Sequence, residues 1–189
     1  MNLISKKYKK QNEALHKKGF GASGHRWSEI VFSLIEKYDI TSMLDYGCGQ
    51  STLYKQLKED YNGLFSKVQY KEYDPCIESK SICPSNAELV TCTDVLEHIE
   101  PKYIDNVLLH LFLLSDRIIF LNINTREANK TLPDGRNAHL IVQKGDWWIK
   151  KIKQVLQDQG ILNDWKYNTI PVKNPKNFNV LLIKEKMSA

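Results

Sequence analysis

No apolar run in this chain approaches the length of a membrane span. The longest, Val107 to Leu114, is eight residues, is interrupted by His110 and stops at Ser115-Asp116-Arg117, against the roughly 20 residues needed to cross a bilayer. Nor does an apolar stretch follow the lysines of the opening MNLISKKYKKQNEALHKK. The start therefore does not read as a secretory signal, and the expected location is cytoplasmic. Cysteine is scarce, and Cys48, Cys76, Cys83 and Cys92 form no C-x-x-C pair; four free thiols are expected, because a chain of this size needs no disulfide staples. Glycine and proline never gather into a linker, and no repeat or low-complexity tract occurs, so two large domains are excluded. The body also lacks a charge surplus. Residues 1 to 18 hold six lysines against Glu13, which accounts for the whole net charge of +5.

What is present is a chain of 189 residues, 42% apolar and 10% aromatic, enough for one sizeable core. The organisation read from it is a basic N-terminal arm and glycine-rich lid over 1–26, then a single domain over 27–189. The arm reads as a solvated, partly frayed helix; the alternative is a contact with nucleic acid or an acidic substrate through its lysines. After the loop GFGASGH, Trp27, Ile30, Val31, Leu34, Ile35 and Tyr38 recur at helical spacing. Strands and helices then alternate. Ser42 to Asp45 runs into GCG and a helix from Gln50-Ser51, a second strand ends at Asp74-Pro75, and a third ends at Asp94. Pro101 opens an apolar helix that leads to the strand Ile118–Ile123. A long polar loop, a helix from about Asp146 to Gln159, and two runs separated by PVKNPK close the chain as an antiparallel pair. The pattern specifies an α/β sheet layered between helices.

In an open α/β sheet, ligands bind outside the carboxyl ends of the strands. Asp45 to Gly49, Asp74 and Asp94 therefore share one rim. Gly47 and Gly49 permit a tight turn with close backbone approach, and a helix N-terminus follows. With an acid 29 residues after Asp45, the arrangement fits a nucleoside held through its ribose hydroxyls; the plainer alternative is that Asp45 and Asp74 only cap turns.

Through DYGCGQS at 45–51, EYDP at 72–75 and CTDVLEHIEP at 92–101, the chain resembles the class I S-adenosylmethionine-dependent methyltransferases across about residues 28 to 184. The resemblance implies a Rossmann-like sandwich with S-adenosylmethionine as cofactor. Asp45, Gly47, Cys48 and Gly49 would surround its methionine part, Cys48 reading otherwise as a small turn residue. Asp74 would take the ribose, and Thr93, Asp94 and Val95 would border the adenine and the reaction centre. A dinucleotide fold is disfavoured. The third family glycine is Ser51 here, and the interval between Asp74 and Glu88 is too short for a full helix and strand, so one helix-strand unit is expected to be abridged.

Asp94, Glu97 and His98 form D-x-x-E-H at a strand-to-helix junction, where one turn can present all three to the rim, with His139 as a fourth. A comparable E-x-x-E-H with a later histidine occurs in small-RNA 3′-terminal 2′-O-methyltransferases. It implies a divalent metal there, here Mn²⁺, Fe²⁺, Zn²⁺ or hydrated Mg²⁺. In the metal-free alternative, Glu97 and His98 orient the loop and His139 is the general base. His16, His25 and His110 have weaker claims. The loop TREANKTLPDGRNAHL suggests an acceptor pocket with Arg126, Arg136, Asn137 and His139, joined by Trp147; the two arginines read equally as solvated charges.

Methyl transfer to an oxygen or nitrogen of a small metabolite, sugar or nucleoside is the leading reading. Methylation of RNA or DNA is second; the lysine arm favours it, and the neutral body and the absence of a D/N-P-P-Y/F motif weaken it. A non-catalytic cofactor-binding module is third.

Overall fold

The computed structural model describes residues 1–171 and 176–185. Six strands form one sheet in the order β2-β1-β3-β4-β6-β5. In chain order they are β1 Ser42–Tyr46, β2 Gln69–Tyr73, β3 Ala87–Thr93, β4 Ser115–Asn124, β5 Trp165–Ile170 and β6 Asn177–Lys184. The first four run parallel, while β6 is antiparallel to both β4 and β5. Five helices accompany them among the described residues: α1 Lys6–His16, α2 Ser28–Lys37, α3 Thr52–Phe65, α4 Ile104–Leu114 and α5 Gly145–Asp158. None is long and apolar enough to cross a membrane.

The central strands read as near-continuous apolar runs because both of their faces are covered. Met43, Leu89, Ile118 and Phe120 point to the side packed by α2 and α3. Their neighbours Leu44, Val90, Ile119 and Leu121 point to the side of α4 and α5, as the two-residue period of a strand requires. The stripe on α2 buries Val31, Leu34 and Ile35. Between β2 and β3 lies one 3₁₀ turn, Glu78–Lys80, with no helix or strand. The abridged unit is thus real, and it leaves β2 as an edge strand. The first strand of the closing pair starts later than its apolar run suggests, because Leu162–Asp164 forms a 3₁₀ turn before β5. Of the PVKNPK connection, residues 172–175 lie outside the described residues.

The basic arm is the main departure from expectation. Instead of fraying in solvent, α1 is capped by the Ser5 hydroxyl, which accepts from the Tyr8 N–H. Tyr8 is buried with Leu132 and Ala138 in a small cluster of their own, flanked by Leu15, Phe20 and Leu140. The Tyr8 hydroxyl donates to the His98 carbonyl at 2.8 Å, and the Ser5 N–H donates to Glu100 at 2.8 Å. Lysines dominate the count in this arm, but its apolar residues decide where it rests.

Candidate active site

The turn after β1 is closed by two backbone bonds, from the Gly47 and Cys48 N–H groups to the Tyr73 carbonyl at 2.7 and 3.2 Å. Gly47 has φ of +74°, and a Cβ there would stand 2.5 Å from a Val95 methyl. Only glycine fits. Ser51 occupies φ of +57°, a region that costs an L-residue about 1–2 kcal/mol. Lys80 compensates by donating to the Ser51 hydroxyl and to the Gly49 carbonyl. Asp74 is buried and accepts from the Gly49 N–H at 3.1 Å and the Cys76 N–H at 2.9 Å. It does cap turns. Its remaining side meets His16, whose Nε2 lies 3.7 Å from Oδ2. Asp45 is also buried, accepting from the Tyr70 hydroxyl at 2.9 Å. Loss of water pushes its carboxyl up to about 7, and the nearby Glu72 charge adds to this.

At the end of β3, Asp94 turns left-handed at φ of +59°, and the 3₁₀ turn Leu96–His98 follows. Strain of this kind persists where the surroundings over-determine it. Here it aims Asp94, Glu97 and His98 at His139, which the long loop brings back across the rim. One ligand-type atom from each of the four lies within 4.8 Å of all the others. Four tetrahedral ligands at ~2.1 Å from a common ion stand about 3.4 Å apart, so an inward shift of somewhat under ~1 Å per ligand atom would complete a coordination sphere.

The hydrogen bonds around this group fix its chemistry. His98 Nδ1 lies 2.8 Å from the Ala138 carbonyl, and His139 Nδ1 lies 2.5 Å from that of Arg126. A carbonyl can only accept, so each Nδ1 donates there, the arrangement by which outer partners orient metal-binding histidines and leave Nε2 as the ligand atom. Glu97 is 0% exposed; its Oε1 accepts from the Asn124 N–H at 2.7 Å, while Oε2 is buried without a partner. Burial, followed by the Asp94 charge, raises the Glu97 carboxyl well above the usual range. His98 is pushed down to about 4 by burial, which keeps its imidazole neutral. An unpaired buried oxygen beside the neutral His98 imidazole calls for a cation or a shared proton.

Two cavities adjoin this group. One, of about 100 Å³, is bounded by Gly47, Asp74, Asp94, Val95 and His98, with His16, Phe20 and Gly21 of the arm on its far side. The other, of about 500 Å³, lies over Asp94, His98 and His139 and is walled by Arg26, Arg126 and Lys130. Four of the residues that the resemblance assigns to the cofactor therefore face the first cavity, whereas Asp45, Cys48, Gly49 and Thr93 stand behind its wall. Of the acceptor candidates, Arg126 and His139 line the second. Asn137 instead ties the loop together through Ala128 and the His139 N–H. Arg136 pairs with Asp134 at 2.7 Å and lies over the Tyr8 ring. Trp147 lines a separate cavity beside Thr125 and Lys144. His25 is exposed, and His110 meets the Tyr46 hydroxyl away from the rim.

Sequence reasoning passed over Ser23, whose hydroxyl donates to Asp94 Oδ2 at 2.7 Å. It also passed over Lys80 behind the glycine turn and Phe20 on the arm, and gave His16 only a weaker claim. GFGASGH was the available signal. Glycines at φ near +80° carry that segment across the rim, and the Gly21 carbonyl accepts from the Gln50 N–H at 2.8 Å.

No family model matches the sequence, and no curated protein is similar to it at a significant level. Solved structures are similar. The chain superposes on the plantazolicin methyltransferase BpumL with a TM-score of 0.62 at 11% identity, covering 94% of this chain and 91% of that one. The small RNA methyltransferase HEN1 gives 0.61 at 12%, covering 87% and 25%. An O-methyltransferase family protein from Burkholderia thailandensis gives 0.55 at 12%, covering 91% and 60%. The chain thus spans three fifths of the Burkholderia protein and a quarter of HEN1. Its fold is the Rossmann-like sandwich of the class I S-adenosylmethionine-dependent methyltransferases.

Proposed function

We propose that this chain is an S-adenosylmethionine-dependent methyltransferase that alkylates a hydroxyl of a sugar- or nucleoside-sized acceptor, assisted by a divalent cation on Asp94, Glu97, His98 and His139. The observation that carries the reading is the convergence of these four side chains between two cavities, one against the glycine turn and one open to the polar loop. Neighbours named for a small RNA and for plantazolicin show that the fold itself leaves the acceptor open.

The residues around the first cavity suit the cofactor. Gly47 lets a ligand approach the backbone, and Asp74 presents carboxylate oxygens where ribose hydroxyls would lie. At about 100 Å³ the space is below the ~300–1,000 Å³ of small-molecule sites, so the arm carrying His16 and Phe20 moves outward to admit it. When bound, S-adenosylmethionine supplies an electrophilic methyl whose bond to sulfur breaks as the acceptor oxygen attacks, leaving S-adenosylhomocysteine. Positioning supplies most of the acceleration, worth ~7 kcal/mol or more. Two carboxylates and two imidazoles would suit Mn²⁺, Fe²⁺ or Zn²⁺, or Mg²⁺ keeping some waters. Held by Asp94, Glu97, His98 and His139, such an ion would supply the positive charge that lowers the pKa of an acceptor hydroxyl.

A second reading has a specific observation in its favour. Because His98 is held near 4, a metal-free enzyme would leave the base to His139, which lines the same cavity. Calorimetry with S-adenosylhomocysteine, transfer of tritiated methyl to candidate acceptors, and elemental analysis of protein purified without chelator test the proposal together. No heat of binding on folded protein removes its basis. Full activity with an empty cluster retains the methyltransferase and rejects the metal.

A further inference from the structure

Resting on the reading just given, we infer that the acceptor carries a phosphate ester beside the hydroxyl that is methylated, and that Arg26, Arg126 and Lys130 hold this phosphate. The larger cavity, about 500 Å³, presents these three cations and Lys176 against two carboxylates, Asp94 and Glu127. Asp94 belongs to the ligand cluster and already accepts from the Ser23 hydroxyl. The wall away from the cluster is consequently cationic, and loading a divalent ion would make the whole space more so.

Most basic side chains at such a rim would be neutralised from within. Among the described residues, neither guanidinium of Arg26 or Arg126 makes an ion pair; the carbonyl of Arg126, not its side chain, is engaged, with His139. Both residues are exposed to the cavity. Lys130 is steered there by the Phe20 ring, 5.2 Å from its Nζ. By contrast, Arg136 on the same loop is fully engaged by Asp134 and faces away. The loop thus keeps one arginine for structure and presents the other to the cavity. Planar guanidiniums that can each give two parallel hydrogen bonds match phosphate oxygens. Arg126 lies beside His139, and Lys130 beside the Phe20 that borders both cavities. A phosphate held there leaves a neighbouring hydroxyl at the cluster.

The test compares ribose 5-phosphate, ribose and inorganic phosphate by calorimetry on the full chain, with and without S-adenosylhomocysteine. Ribose 5-phosphate should bind at least tenfold more tightly than ribose, and inorganic phosphate should compete. Arg126→Ala and Lys130→Ala should each weaken the phosphorylated probe about tenfold without changing ribose binding. Lys58→Ala, an exposed residue of α3 that does not line the cavity, should change neither, and melting curves confirm folding. A short oligoribonucleotide is a further arm. If it binds more tightly than ribose 5-phosphate, with affinity falling steeply in salt, the phosphate belongs to a polymer; equal affinity assigns it to a small molecule. Absence of binding by every phosphorylated probe, or binding that the two variants leave unchanged, overturns the inference. Because none of these measurements requires methyl transfer, heat of binding with S-adenosylhomocysteine would leave the methyltransferase reading standing in that event.

Discussion

The order of stability between wild type and Glu97→Gln should reverse on going from metal-free to metal-loaded protein. Without a cation, wild type buries a carboxyl that is 0% exposed with Oε2 unpartnered, and such an unsatisfied group costs about 1–3 kcal/mol. The glutamine can still accept the Asn124 N–H through Oε1, and its amide can donate to an imidazole lone pair of the cluster. In chelator, the variant should therefore melt higher, by roughly 2–12 °C, since 1 kcal/mol moves the midpoint of a domain this size by about 2–4 °C. With a divalent ion at 100 times its dissociation constant, linkage stabilises wild type by about 2.7 kcal/mol. If losing one of four ligands weakens affinity about 100-fold, the variant gains only about 0.4 kcal/mol at that concentration. Thermal melts in chelator and in Mn²⁺ or Zn²⁺, fitted over a range of metal concentration, measure both quantities. Equal metal-induced shifts in the two proteins, or a variant less stable in chelator, would refute the account of Oε2.

Other outcomes are equally specific. His139→Ala should leave affinity for S-adenosylhomocysteine within about twofold while reducing transfer 10²-fold or more; parallel losses would make the histidine structural. Asp45→Asn should flatten the dependence of stability on pH. The folded carboxyl titrates near 7, against an ordinary value of 3.8. Its contribution is complete below about pH 4 and is lost as pH rises to about 7, a change of roughly 4 kcal/mol. Denaturant titrations from pH 4 to 8 with parallel slopes for both proteins would contradict this. Gly49→Ala places a Cβ into the Gly21 carbonyl at a position with φ of +49°, so tryptic cleavage at Lys17 and Lys18 should accelerate as the arm loosens. An unchanged cleavage rate would mean that the arm is held elsewhere.

Much of the sheet is legible because burial writes itself into composition. The apolar strands β3 and β4 are covered on both faces, and the stripe on α2 follows from a single buried side. The missing unit between β2 and β3 is readable from spacing alone, since too few residues separate Asp74 from Glu88. D-x-x-E-H points to a cluster because its members lie within one turn. What spacing cannot convey is which way a loop folds back. Arg126 and Arg136 look alike in sequence and differ only because Asp134 sits two residues from one of them. The position of α1 was hidden for a related reason. Six lysines suggest solvent, whereas one tyrosine and one serine, Tyr8 and Ser5, with partners some 90 residues away, hold the helix down.

Phe20 and Gly21 border both cavities at once. Any change in the bulk of that short strip alters the room on its two sides together, so under the proposed function the apparent affinities for methyl donor and methyl acceptor would be mechanically tied. Engineering for a larger acceptor through Phe20 would then carry a penalty in donor retention. Arg126 lines the larger cavity alone, so a change there leaves the smaller one untouched.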